Sequence, residues 1–89
     1  MFAWRRLGYA CRMRLLLIED DVAAAGYLRQ GLIEAGHTVD AAHDGETGLQ
    51  LALAGSYDVL VVDRMLPRRD GLAIVRMLRA DGRATPVLL

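Results

Sequence analysis

The sequence contains no lysine, one cysteine and two prolines among 89 residues. A lone Cys11 cannot close an internal disulfide, so packing and hydrogen bonds must hold the fold. No run approaches the roughly 18 uninterrupted apolar residues of a membrane-spanning helix. Scarce proline, with 54% hydrophobic and 25% charged residues, excludes a disordered or low-complexity tail. Neither charge is in excess: eleven arginines face eleven acids, which argues against a strong general attraction to nucleic acid or anionic membrane. The length leaves room for one small domain and no second one. Together these exclusions point to a folded, soluble, cytoplasmic chain without membrane partners.

The zero net charge hides an asymmetry. Residues 1–14 carry Arg5, Arg6, Arg12 and Arg14 with no acid, whereas residues 15–89 hold the remaining seven arginines and all eleven acids. Residues 1–12 also lie outside the patterning that follows and lack the apolar core and cleavage site of a signal peptide. They are expected to be a disordered extension or a start-site artefact, with Met13 as the natural initiator and residues 13–89 as the folded unit.

From residue 13 onward, apolar runs alternate with helical patterns, the signature of βαβ units around a parallel sheet. Leu15-Leu16-Leu17-Ile18 and Val59-Leu60-Val61-Val62 read as strands buried on both faces. The mixed run Thr38-Val39-Asp40-Ala41-Ala42 suits an edge strand, and Pro86-Val87-Leu88-Leu89 begins a fourth. A helix from Val22 to Ala35 would place Ala25, Leu28, Leu32 and Ala35 on one face, capped by Asp21 and ended by Gly36. A second, capped by Asp44 and ending at Gly55, would turn Leu49, Ala52 and Leu53 inward, with Gly45 and Gly48 weakening its first turn. A third, capped by Asp70 and ended by Gly82, would bury Leu72, Val75 and Leu78.

In such sheets, ligands gather beyond the carboxyl ends of the strands, at the crevice where the winding reverses. Glu19 and Asp20, with Asp21 behind them, directly follow the first buried strand, and Asp63 directly follows the second. If those strands are neighbours, three carboxylates converge, and their mutual repulsion calls for a cation. Hard oxygen donors suit Mg2+ or Mn2+, while the absence of a Cys/His cluster argues against zinc. With a metal present, an aspartate there can attack a phosphoryl group.

These residues resemble the receiver domains of bacterial two-component response regulators. Leu-Leu-Leu-Ile-Glu-Asp-Asp at 15–21 is similar to the strand and acidic pair that open the family, and Val-Val-Asp-Arg-Met-Leu-Pro-Arg-Arg-Asp-Gly-Leu at 61–72 is similar to its phosphoacceptor segment in winged-helix transcriptional regulators. The resemblance implies a flavodoxin-like, doubly wound parallel α/β sheet of order 2-1-3-4. It implies Asp63 as the phosphorylated residue, Asp20 as a direct metal ligand, Glu19 as a ligand through water, and the Met65 backbone carbonyl as a further ligand. Pro67 and Gly71 would shape the loop after the strand. The implied role is to accept a phosphoryl group from a sensor histidine kinase, with Mg2+ or Mn2+, and so to regulate transcription in a full-length regulator. The chain is then a signalling phosphoacceptor and not an enzyme, and it does not itself bind DNA.

The resemblance runs from Met13 to Leu89 and breaks off where the family continues with a switch threonine or serine, a lysine after strand five and the α4-β5-α5 third. An alternative reading is therefore a degenerate, non-phosphorylated interaction module or inactive fragment. A bare fourth strand predicts self-association through the exposed sheet edge, while Phe2, Trp4, Leu7 and Tyr9 offer apolar cover for the bare face. A third reading, a phosphohydrolase or nucleotide binder on a similar sheet, is weakest: Met65 stands where a second aspartate is expected, and no glycine-rich phosphate loop occurs. For single residues, capping explains Asp21, surface exposure explains His37 and His43, packing explains Met65 and Met77, and a solvated loop explains Arg64, Arg68 and Arg69.

Overall fold

An unbroken apolar run in a strand can be stable only between two covering layers, and β1 (Arg14–Ile18) carries one after its exposed first residue Arg14: Leu15, Leu16, Leu17 and Ile18 are all at most 3% exposed. The computed structural model describes residues 12–63 and 71–89. Around β1 it arranges α1 (Val22–Glu34), β2 (Thr38–Ala42), α2 (Gly45–Ala54), β3 (Val59–Val62), α3 (Gly71–Ala80) and β4 (Val87–Leu88). The strands are all parallel, in the order β2-β1-β3-β4, as the sequence implies. Winding runs outward from β1 to β2, crosses back over β1 to β3, and continues to β4.

Alternation along β1 divides the core. Leu16 and Ile18 pack with Ala42, Leu49, Ala52, Leu60, Val62, Ile74 and Leu78 beneath α2 and α3. Leu15 and Leu17 face the other way, onto Ala25 and Val39 beneath α1. Leu16, Leu17, Ile18, Leu60, Ile74 and Leu78 are the largest fully buried side chains, each contributing about 1.5–3 kcal/mol relative to exposure. No helix among the described residues is long and apolar enough to cross a membrane.

The helix boundaries follow their caps. Asp21 Oδ1 accepts from the amides of Ala23 and Ala24 at 3.0 and 3.1 Å, and Gly36 ends α1 with φ of 102°. Asp44 accepts from Thr47 N at 2.7 Å and opens α2. Gly82, at φ of 80°, ends α3, with its amide on Arg79 O and that of Arg83 on Leu78 O. The expected cap Asp70 lies outside the described residues.

The buried faces depart from the sequence reading in four places. In β3, read as buried on both faces, Leu60 and Val62 are buried but Val59 and Val61, on the α1 side, are only half-buried. In α1, Ala25 is buried and Leu32 and Ala35 are half-buried, but Leu28 is 44% exposed. The stripe that meets the sheet runs through Ala25, Arg29 and Leu32, with Arg29 Nε donating to Val39 O at 3.2 Å, and Leu28 falls one step round the helix. In α3 the buried stripe is Gly71, Ile74 and Leu78, while Leu72 is 38% exposed and Val75 half-buried. Positions 72, 75 and 78 are uniformly three apart and walk around a 3.6-residue helix; 71, 74 and 78 alternate three and four and stay on one side. Met77, expected to pack, lies off that stripe and is 43% exposed.

Two features escape pattern reading. Gly48 weakens its helix in isolation, yet an added Cβ there would lie 2.5 Å from Ile18 Cδ1 and 2.9 Å from Ile18 Cγ2. The glycine lets α2 settle onto the fully buried Ile18. Arg83, far away in sequence, donates from Nη2 to Leu53 O and from Nη1 to Gly55 O, placing a cation on the carbonyl end of α2. Replacing Gly48 with alanine is expected to destabilise the chain by about 1–3 kcal/mol, read as a lower urea midpoint. The loss should be less than additive with Ile18→Val, which removes the obstructing Cδ1 methyl.

Candidate metal centre

Because every strand is parallel, all the carboxyl ends open onto one edge, and the residue after each strand is delivered there. Ile18 and Val62 are register partners in β1 and β3, so Glu19 and Asp63, the next residues, emerge side by side. Both backbones are pinned: Asp63 N–H donates to Ile18 O at 2.8 Å and Glu19 N–H donates to Ala42 O at 3.0 Å. One carboxylate oxygen from each of Glu19, Asp20 and Asp63 lies within 4.8 Å of the others; Glu19 and Asp63 are half-buried and Asp20 is exposed. The convergence expected from the sequence is therefore present.

Asp21 stands apart from the cluster. Its side chain caps α1, and its amide donates to Glu19 Oε2 at 3.2 Å. Partial burial pushes the Glu19 carboxyl above its ordinary value; hydrogen bonding with Asp20 and Asp63 and the negative charge of Asp63 push the same way, and the Asp21 amide opposes them. Three hard oxygen donors, with no histidine or cysteine in the cluster among the described residues, fit Mg2+ or Mn2+. Met65, Pro67, Arg64, Arg68 and Arg69 lie outside the described residues.

The two histidines do more than the sequence reading assigned them. His37 is half-buried, and its Nδ1 accepts from Met13 N at 3.1 Å, because the Gly36 turn swings it beneath the start of β1. His43 is exposed, but its Nδ1 lies 3.1 Å from Glu19 O. A carbonyl only accepts, so Nδ1 carries the hydrogen. The available signal was position: His43 directly follows β2 and so reaches the same edge as Glu19. Toward the opposite end of the sheet, Tyr57 donates to Asp40 at 2.7 Å and the Arg14 guanidinium lies 4.9 Å from the Tyr57 ring centroid.

A protein-family model described as the response regulator receiver domain matches residues 15–89. The chain is 48% identical over 77 residues to the probable transcriptional regulatory protein SilR of Salmonella typhimurium and 47% identical over 77 residues to the transcriptional regulatory protein CusR of Escherichia coli. Each alignment covers 86% of this chain and 34% of the relative, so the chain spans about a third of their length. Among solved structures, the receiver domain of Francisella response regulator 1452 superposes with a TM-score of 0.82 at 33% identity, covering 85% of this chain and 63% of that one. Response regulator TrrA of Thermotoga maritima, in complex with Mg2+-BeF, superposes with a TM-score of 0.73 at 29% identity, covering 76% of this chain and 59% of that one.

The raised Glu19 carboxyl makes stability depend on pH. The folded chain holds this proton more tightly than the unfolded chain, so the contribution is complete below the ordinary glutamate value and is lost as pH rises through the raised one. In chelator, urea midpoints followed from about pH 4 to about pH 7 are expected to show this decline, and Glu19→Gln, which cannot ionise, to flatten it. Identical profiles for the two proteins would contradict the assignment.

Proposed function

The chain belongs to the response regulator receiver domain family, and on that premise we propose that Asp63 is a phosphoacceptor served by a sensor histidine kinase, with Mg2+ or Mn2+ held by Glu19, Asp20 and Asp63. The backbone carbonyl of Met65 completes the proposed ligand set. The observation that carries this reading is the meeting of three carboxylates at the sheet edge, with Asp63 pinned to Ile18 O. The complex of TrrA with Mg2+-BeF supports the choice of ion.

Transfer is a displacement at phosphorus. A carboxylate oxygen of Asp63 forms the new P–O bond while the P–N bond of the kinase phosphohistidine breaks, and the histidine nitrogen keeps the electron pair. When bound, the divalent ion supplies positive charge against the carboxylates and the oxygens of the transferring group. The residues of the chain do the positioning. The Asp63 amide bond to β1 fixes where the nucleophile starts, and half-burial limits its access to water. Glu19 and Asp20 set the negative field that draws the ion in.

The acyl phosphate then shifts the population of a signalling surface, and in a full-length regulator this controls transcription. The transcriptional regulatory relatives support that role; the same proposal sets the chain in the cytoplasm and leaves DNA binding to a part of the regulator other than this chain. Incubation with Mg2+ and a small phosphodonor is expected to add one phosphoryl group by intact mass, and Asp63→Asn to abolish the addition. No adduct on the folded wild-type chain would overturn the proposal and favour a non-phosphorylated interaction module.

A further inference from the structure

Resting on the metal-site reading above, we propose that His43 is a positioning residue for the acidic cluster: its imidazole Nδ1–H holds the Glu19 carbonyl and thereby fixes the directions of the Glu19 and Asp20 carboxylates. Glu19 is the first residue beyond β1, where the chain leaves the ladder and would ordinarily gain freedom. Its two backbone groups are instead tied to consecutive residues of the β2 exit: its N–H donates to Ala42 O at 3.0 Å, and its carbonyl accepts from His43 Nδ1 at 3.1 Å. The histidine side chain extends the β1–β2 ladder beyond the Ala42 rung.

This second bond acts on both acids. The peptide unit joining Glu19 to Asp20 is planar, so holding its carbonyl fixes ψ of Glu19 and orients the amide of Asp20 with it. The anchor is itself firm. Ala42, immediately before His43, is 2% exposed, and Asp44, immediately after it, caps α2 through Thr47 N at 2.7 Å. Three carboxylates within 4.8 Å repel one another and would spread if their backbone were loose. Holding them converged before the ion arrives lowers the reorganisation that binding requires.

The test uses Mg2+ alone, by titration calorimetry without phosphodonor, with a thermal melt of each metal-free protein. His43→Ala is expected to weaken Mg2+ binding about three- to tenfold while leaving the melting temperature little changed, since the side chain is exposed. H43F, which keeps a ring but no donor, should behave as H43A. H43N places an amide Nδ2 where Nδ1 stood and should recover wild-type affinity to within about twofold, less than the value of one hydrogen bond. Equal Mg2+ affinity in wild type and H43A, or an H43N as weak as H43A, would overturn the role of His43 while leaving the metal site standing. Absence of Mg2+ binding by wild type would remove the metal reading and this inference with it.

Discussion

The parallel pairing of Ile18 with Val62 is the constraint from which the rest follows. It places β1 beside β3 and puts the reversal of winding between them, so the two most apolar strands share the centre of the sheet. One residue further on, the same register delivers Glu19 and Asp63 to a common edge. A slip of one residue would turn Leu16 and Ile18 out of one core and Leu15 and Leu17 out of the other. The apolar content that secures the fold therefore also secures the spacing of the acids.

The two faces are covered unequally. Beneath α2 and α3 the packing is close enough to require a glycine at Gly48, and Arg83 ties the α3–β4 connection to the last carbonyls of α2. Beneath α1 the buried set is smaller, and Val22, Tyr27, Leu28 and Ile33 remain exposed on that helix. The carboxyl edge thus stands on its better-packed side upon Ile18 and Val62, both at most 2% exposed. A rigid floor matters there because the groups it carries repel.

Repulsion and restraint are balanced locally. Backbone bonds fix Asp63 against β1 and Glu19 against β2, the Asp21 amide donates to the Glu19 carboxylate, and His43 holds the Glu19 carbonyl. Asp20 stays exposed, leaving the cluster an open side. A site held in this way keeps its charges close without neutralising them, which is the state in which a small divalent ion gains most.

Much of this was legible in the residues. The apolar runs at Leu15–Ile18 and Val59–Val62 mark the central parallel strands because they are short, rich in branched residues and bounded by turn signals. Asp21, Asp44, Gly36 and Gly82 mark helix ends through local hydrogen bonding and positive φ, which depend only on near neighbours. The acids after two such strands announce the edge where they meet. What depends on the angle at which one element rests on another was not legible: the true inward stripe of α3, the outward turn of Leu28, the need for Gly48, and the reach of Arg83 and His43 to carbonyls 30 and 24 residues away. Local pattern determined the elements and their order; only the tertiary structure decided which sides face and which distant groups touch, because rotation about a helix axis and long side-chain reach leave no periodic trace in the chain.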